Sequence, residues 1–388
     1  MIILDKPYVS DFLIDTINKY KIPVLKNAHA KSINTINSTN LISDNDAIKS
    51  IVNDNELLYT NSENAIGWIS KNLEETILPK QIELFKNKEK FRELISKLYP
   101  NFYFKKVEFN QLANIDYKTL PKLIVVKPNV GFFSMGVHII KNKNDWDNAM
   151  VSLNSEMESV KDLYPLEVMD AKEFIIESYI TGKEYAVDCY FNDTGEPVIL
   201  NIMEHKFSST DDVSDRLYFT STTLIKELKD QVQLFLKKMN DLAGLTNFPL
   251  HIEIRIENDM IIPIEGNPMR FGGWCTTADL TYHAFDFNPY EYYFEQKTPD
   301  WNSILKAFDD SIYSIIILNN ASGYMVDQIK SFNYDKLMST FEDPLELRKI
   351  DHLKYPLFGF LFIKTSKDNL AEMDNILVSN LREFVLTR

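Results

Sequence analysis

Apolar and polar residues alternate along the first hundred positions in a way that predicts strands and helices in turn. Ile2–Leu4 is a short apolar strand, Val9–Tyr20 has apolar residues near helical spacing, and Ile22–Leu25 is apolar again. Leu57–Thr60 and Ala65–Leu73 repeat the order of strand and then helix. This alternation favours a small open α/β domain. The GxGxxG glycines of a dinucleotide-binding fold are missing from it.

Farther along the chain the pattern becomes richer in strands. Residues 80–98 form a charged amphipathic stretch, which predicts one helix that ends before Pro100. The tail, 301–388, alternates again and ends in a predicted helix at Leu370–Val385. Apolar or alternating runs predict strands at Leu123–Val126, Phe174–Glu177, Glu184–Phe191, Val198–Ile202, His251–Ile256, Ile261–Glu265, Ser314–Leu318 and Leu357–Ile363.

Composition limits the class of protein. A chain of 388 residues is too long for one ordinary core, so we expect two or three domains. Lys+Arg 42 against Asp+Glu 56 gives a net charge of −14, which argues against nonspecific binding to nucleic acid or to an anionic membrane. Cys189 and Cys275 cannot form a disulfide framework. With no signal-peptide layout and no apolar run long enough to cross a bilayer, a cytoplasmic location is expected.

The first segment with candidate chemistry is the loop at 125–137. Gly131 and Gly136 have the GxxxxG spacing of a phosphate loop, but Lys127 precedes the glycines, at the end of an apolar run. Pro128 is expected to end that strand. Glycine amides, the Ser134 hydroxyl and the lysine could together bind phosphate oxygens. The alternative is an ordinary flexible hairpin with a solvated lysine.

The second segment is Phe174–Asp188, which reads as strand, short connection and strand, with Gly182 at the bend. An apolar edge with free backbone groups suits adenine, and a carboxylate such as Glu184 suits the ribose hydroxyls. A surface hairpin with exposed acids is the alternative interpretation.

The third segment, His251–Asn267, contains two alternating runs joined by Asn-Asp-Met, which indicates a hairpin. If residues 258–260 form a three-residue loop, Glu253 lies directly opposite Glu265, and Asn267 lies on the same face. Two carboxylates and an amide oxygen are ligands that Mg²⁺ prefers. Two exposed acids in a solvated hairpin are the alternative.

These three segments, in this order, resemble the ATP-grasp superfamily, over about residues 86–300. The resemblance implies an α+β ATP-grasp fold, in which two α+β subdomains clamp ATP. It places a preceding α/β domain at 1–85, the ATP-grasp domain at 86–300 with a lid subdomain at about 120–182, and a C-terminal α/β extension at 301–388.

By the same resemblance, individual residues acquire expected roles. The magnesium ligands are Glu253, Glu265 and Asn267, and Lys127 is the lid lysine. Lys88 matches an earlier phosphate-binding lysine, although Lys90 is an alternative. The nucleotide contacts are completed by Gly131, Ser134, Gly136, the adenine hinge Glu177, Ser178, Tyr179 and Ile180, and the ribose carboxylate Glu184.

One motif departs from the family. Asn267 is followed by Pro-Met-Arg where the family often has Pro-Arg, so Arg270 is displaced by one residue. Its expected role is catalytic, at the γ-phosphate or the acyl phosphate. Arg255 shares the strand face of Glu253; it could hold the substrate carboxylate or form a structural salt bridge to those acids.

The resemblance implies an ATP-dependent ligase that activates a carboxylate as an acyl phosphate and joins it to an amine, or less often to a thiol, releasing ADP and phosphate. The expected cofactors are ATP and Mg²⁺, with two ions. The expected partners are a small-molecule carboxylate and amine, without nucleic acid or membrane, and a homo-oligomer is left open. A kinase that stops at phosphoryl transfer and a non-catalytic ATP-binding subunit are the alternatives.

Overall fold

The structure is a computed structural model that describes residues 1–130, 136–160, 170–209, 212 and 214–388. Helices and sheets are mixed along these ranges, so the predicted α+β class is confirmed. None of the helices that the structure describes is both long and apolar enough to cross a membrane.

The N-terminal region is a four-stranded parallel sheet in the order β3-β2-β1-β4. Its first three helices begin at polar caps: the Ser10 side chain, for example, accepts from the backbone N–H of Leu13. The predicted alternation is confirmed, but a third strand and helix between residues 41 and 54 were not predicted. The elements are β1 Ile2–Ile3, α1 Asp11–Tyr20, β2 Val24–Leu25, α2 Ala28–Ser32, β3 Leu41–Ile42, α3 Asp44–Asp54, β4 Tyr59–Thr60 and α4 Ile66–Asn72.

The predicted single helix at residues 80–98 is wrong. The structure has two helices here, α5 (Leu78–Lys86) and α6 (Lys88–Ile95). Asn87 separates them because its backbone is extended, and its side chain caps α6 by accepting from the N–H of Lys90. The break lies directly before Lys88.

A four-stranded antiparallel sheet follows, in the order β5-β8-β6-β7. The strand that carries Lys127 does not end at Pro128 as predicted: it runs on to Val130, with a register shift where the proline lacks an N–H. The first strand of this sheet, at Phe104–Glu108, lies before residue 120, where we placed the start of the lid subdomain. The elements are β5 Phe104–Glu108, β6 Ile124–Val130, β7 His138–Ile140, α7 Lys143–Val160 and β8 Asp170–Ser178.

The centre of the molecule is an eight-stranded antiparallel sheet in the order β13-β12-β9-β10-β11-β14-β17-β16. The expected tail helix at Leu370–Val385 is too long, because α13 stops at Val378 and the chain closes as a strand. β15 and β18 pair in a separate two-stranded sheet. The elements of this part of the chain are β9 Lys183–Phe191, β10 Pro197–Lys206, β11 Leu217–Thr220, α8 Thr222–Ala243, β12 Phe248–Glu257, β13 Met260–Pro268, α9 Thr276–Phe285, α10 Pro289–Phe294, α11 Trp301–Ala307, β14 Ile312–Asn319, β15 Ile329–Phe332, α12 Tyr334–Met338, β16 Asp343–Lys349, β17 Leu357–Thr365, α13 Ala371–Val378 and β18 Val385–Thr387.

Candidate functional site

Two glutamates face each other across the hairpin of β12 and β13, as predicted: Glu253 is the cross-strand partner of Glu265. The predicted turn is wrong, however. Only Asn258 and Asp259 form it, both with positive φ (49° and 61°), and Glu257 pairs with Met260. A bulge between Pro263 and Glu265 adds one residue to β13 and restores the pairing of the two acids.

The pKa values of the two carboxylates shift in opposite directions because their neighbours differ. Burial raises the pKa of Glu253, and the nearby carboxylates of Glu265 and Glu184 add to the rise. Burial acts the same way on Glu265, but Lys88, 3.1 Å away, and Lys127 outweigh it and lower its pKa. The acid pair is therefore electrostatically strained, which a bound cation would relieve.

The strand face continues to a buried histidine. The His251 Nδ1 lies 2.7 Å from Asp188 and its Nε2 lies 3.8 Å from Glu253. Burial lowers the pKa of His251, but these two carboxylates outweigh it and raise the pKa to about 9. Asn267 pairs with His251 across the ladder and is 7% exposed.

A metal at this place would have an oxygen-rich set. In the described ranges no three His, Cys, Asp or Glu side chains are grouped for a metal. The candidate ligands are therefore the two glutamates and the amide oxygen of Asn267, a set that suits a hard divalent ion.

Lys127 is buried in an ion-pair network. Its Nζ lies 2.6 Å from Glu177, and Arg92 holds the same carboxylate through two N–H groups at 2.7 and 3.1 Å. Burial would raise the pKa of Glu177, but Arg92 and Lys127 outweigh it and lower the pKa to about 2. Glu177 therefore uses its side chain to hold the lysine, although the sequence placed it in the adenine hinge.

Arg92 also ties this network to the acid pair. Its guanidinium donates to the carbonyl oxygens of Pro263 (2.6 Å) and Ile264 (3.1 Å), which are the residues of the bulge. Arg92 thus links α6, on which it lies, to β8 and β13. It holds the bulge that aligns Glu265 with Glu253.

The hinge segment connects β8 to β9. The backbone N–H groups of Ser178 and Tyr179 are already bonded, to Tyr103 and Leu123 carbonyls at 2.9 and 3.1 Å. Backbone contacts to a base from this segment would therefore need its carbonyl groups or the N–H of Ile180.

Arg255 lies at this hinge end, and its ion pair is with Glu184 (2.9 Å), not with Glu253 or Glu265. It also donates to the carbonyl of Ile180, and its guanidinium lies 4.9 Å from the centre of the Tyr179 ring. Glu184 accepts a second bond from His205, at 2.7 Å, and both partners outweigh burial to lower its pKa.

These groups surround one cleft between the two antiparallel sheets, with an empty volume of about 890 Å³ that includes open solvent. Nine residues proposed from sequence line it: Lys88, Lys127, Glu177, Tyr179, Ile180, Glu184, Glu253, Arg255 and Glu265. Its walls are completed by apolar Val125, Pro128, Val137, Ile139, Phe207 and Ile264 and by the polar side chains His205, Asp212 and Asp215.

Among the other proposed residues that the structure describes, Gly136, Ser178, Asn267 and Arg270 are not part of the cleft lining. Gly136 is described, with φ 70°, but Gly131 and Ser134 lie outside the described residues. Arg270 is not among the residues that line the cleft; its Nη2 lies 2.7 Å from Glu63, and it donates to the carbonyl of Phe271 at 2.8 Å. The residue before it, Met269, has a positive φ of 66°.

Sequence reasoning missed Arg92 and Glu63. Arg92 follows Lys88 by one helical turn and precedes Ile95 by three residues, so its place on the buried face could have been found from helical spacing. Glu63 had no local signal, because its partners are 23 and 207 residues away.

Comparison with known proteins agrees with this geometry. Residues 120–278 match the family described as ATP-grasp domain. Similar solved structures include an L-amino acid ligase from Bacillus licheniformis, at 15% identity and a TM-score of 0.70, covering 100% of this chain and 98% of that one. No curated protein matches the sequence significantly.

Other ligands and reactions occur among the structural neighbours. The N5-carboxyaminoimidazole ribonucleotide synthetase from Thermotoga maritima has 15% identity and a TM-score of 0.63, over 100% of this chain and 98% of that chain. A biotin carboxylase–β-γ-ATP complex from Campylobacter jejuni has 10% identity and a TM-score of 0.66, over 100% and 91%.

Two antiparallel sheets that enclose an acidic hairpin and two lysines define the class of the molecule. The chain has the ATP-grasp fold, and residues 120–278 form an ATP-grasp domain.

Proposed function

We propose that the protein is an ATP-dependent ligase that activates a carboxylate as an acyl phosphate and joins it to an amine. The observation that carries the proposal is the placing of Glu253 opposite Glu265 in a cleft that also contains Lys88 and Lys127. Opposed acids beside buried lysines are an arrangement for a metal–triphosphate complex. The ATP-grasp domain and a neighbour solved with a nucleotide support ATP as the substrate.

Mg²⁺ fits the hairpin because burial and neighbouring carboxylates raise the pKa of Glu253. A bound cation would take the place of the proton and neutralise the pair of acids. Glu253, Glu265 and Asn267 would hold it. When bound, it supplies positive charge to the phosphate chain. The Lys88 Nζ lies 3.1 Å from Glu265, and its three N–H donors allow it to contact a phosphate oxygen as well.

The other end of the cleft suits a nucleoside. Val125, Ile139 and Ile264 offer apolar surface for a base. Glu184 shares Arg255 with the Ile180 carbonyl of the hinge, and its carboxylate can accept from ribose hydroxyls. Arg255 and His205 fix the position of Glu184. Arg255 thus belongs with nucleotide positioning in this proposal more than with the substrate carboxylate.

The reaction then needs no protein nucleophile. The substrate carboxylate oxygen attacks the γ-phosphorus, the bond to the β-phosphate oxygen breaks, and ADP leaves. The amine attacks the acyl carbon, loses a proton, and phosphate leaves. Lys88, Lys127 and Arg270 are proposed to stabilise the charge that moves between these oxygens, because phosphoryl transfer depends mainly on positioned cations.

The direct test is release of ADP and phosphate when the protein, MgATP and pairs of carboxylic acids and amines are mixed. The similarity to an amino acid ligase makes amino acids the first acids and amines to try. Glu265→Gln should reduce ADP release to background. Glu257→Gln, an exposed acid on the same hairpin, should retain it, because Glu257 lies outside the residues that line the cleft.

Hydroxylamine distinguishes the ligase from a kinase. It converts an acyl phosphate to a hydroxamate, so a ligase yields a hydroxamate together with ADP. ADP and a stable phosphorylated product without hydroxamate would indicate a kinase. Nucleotide binding without any ADP release would contradict a catalytic role.

A further inference from the structure

The N-terminal domain contributes a buried acid that contacts Arg270, which is proposed to act at the phosphate, and Lys86, two residues before Lys88. Glu63 lies in a short 3₁₀ turn directly after β4 and is 7% exposed. One carboxylate oxygen accepts from Lys86, and the other accepts from the Nη2 and Nε of Arg270 at 2.7 and 3.2 Å. Burial would raise its pKa, but the two cations outweigh burial and lower it to about 2, so Glu63 is charged at neutral pH.

The backbone around Arg270 is attached to the same strand. The N–H of Thr60 donates to the Met269 carbonyl at 2.8 Å, and the N–H of Phe271 donates to the Tyr59 hydroxyl at 3.3 Å. Met269 lies between these contacts and has a positive φ, a backbone conformation that residues other than glycine rarely adopt. The extra residue before Arg270 is thus accommodated by a kink that β4 holds in place.

Lys86 connects Glu63 to the acid pair. It is the last residue of α5, and Lys88, two residues later, lies 3.1 Å from Glu265. Glu63 therefore holds one cation two residues before Lys88 and another two residues after the end of β13.

We propose that Glu63 is a positioning residue, which orients Arg270 toward the transferring phosphoryl group; the inference rests on the proposed function. Arg270 has five N–H donors, and its three bonds to Glu63 and Phe271 leave two for an anion. The cluster of Lys86, Arg270 and Glu63 has a net charge of +1, so it remains attractive to phosphate. Glu63 acts through Arg270 and does not touch the reacting atoms.

A double-mutant cycle measures this dependence. Glu63→Gln, Arg270→Ala and the double variant are titrated by calorimetry with MgADP, and with MgADP plus aluminium fluoride, which mimics a transferring phosphoryl group. We expect Glu63→Gln to weaken the aluminium fluoride complex about tenfold, with MgADP affinity changed less than about threefold. In the Arg270→Ala background the same change should have little further effect.

Two results would overturn the inference: an equal loss of MgADP affinity in Glu63→Gln, or an equal effect of Glu63→Gln with and without Arg270. Glu372→Gln is the matched control, because Glu372 is equally buried (7%) but bonds Thr365 and the backbone of Glu342 in the C-terminal region. If no substrate pair releases ADP, the ligase proposal fails while the ratio of the two affinities still decides the role of Glu63. If wild-type protein binds no MgADP, both proposals fail.

Discussion

Glu177 and Glu63 are two buried carboxylates that are each stabilised by two cations, and each has a pKa near 2. Glutamate in the unfolded chain titrates near 4.5. A lowered pKa in the folded state means that the stabilisation is fully present above the unfolded value and is lost as the pH falls toward the folded value. Both acids therefore favour the folded state at neutral pH and weaken it in acid.

Glu177→Gln should reduce the acid sensitivity of the protein. From the pKa shift, Glu177 accounts for about 2 kcal/mol of unfolding free energy lost between about pH 5 and about pH 3, which the variant lacks. Urea unfolding at both pH values measures the difference. Glu83→Gln, at an exposed position, should behave as wild type; an unchanged pH dependence in Glu177→Gln would contradict the assignment.

Lys127→Met tests the buried lysine directly. If Lys127 leaves Glu177 to bind a phosphate, the variant should bind MgATP about 10–100-fold more weakly, because a charge-assisted contact is lost. Equilibrium binding of MgATP and of adenosine separates the causes. Adenosine affinity should stay the same, and a parallel loss for both ligands would point to a collapsed cleft.

At the level of elements, the hairpin of β12 and β13 was the most predictable part of the site. Its two strands are adjacent in sequence, so alternation and an assumed three-residue loop together placed Glu253 opposite Glu265. The bulge was not predictable, because Arg92, which fixes it, is more than 170 residues away. The division of the 80–98 helix was missed for a different reason: both halves have the same periodicity, and only the cap at Asn87 separates them.

Arg92→Met should destabilise the protein strongly. It leaves Glu177 with one cation and removes the donors to the bulge carbonyls, and breaking a buried ion pair in this way costs about 3–5 kcal/mol. Chemical unfolding at neutral pH gives the value. Lys90→Met, on the same helix but exposed, serves as the comparison. A loss below about 1 kcal/mol would mean that the network is not structural.

At the scale of the whole molecule, the C-terminal residues are part of the central sheet. β11 is followed in the sheet by β14, β17 and β16, all from residues after 301. Leu217 on β11 shares a buried cluster with Ile316 and Phe358. The sequence indicated the strands of this tail, but not that they continue an earlier sheet, because strand order depends on contacts far apart in the chain.

A chain shortened to residues 1–307 should therefore aggregate or fail to fold. It would expose the edge of β11 and the apolar face around Leu217, which normally pack against β14. Size-exclusion chromatography and circular dichroism report the outcome. Removing only residues 385–388 deletes β18 from a separate two-stranded sheet and should be tolerated far better. A folded, monodisperse 1–307 fragment would show that the tail is independent.

The short turn at Asn258–Asp259 and the additional residue at Ile264 compensate each other, which is why an incorrect turn still led to the correct facing acids. A related chain with an uninterrupted ladder and one residue fewer would present the same two carboxylates. Searches that require a fixed interval between the glutamates would overlook such a chain, whereas a criterion based on strand pairing would recover it.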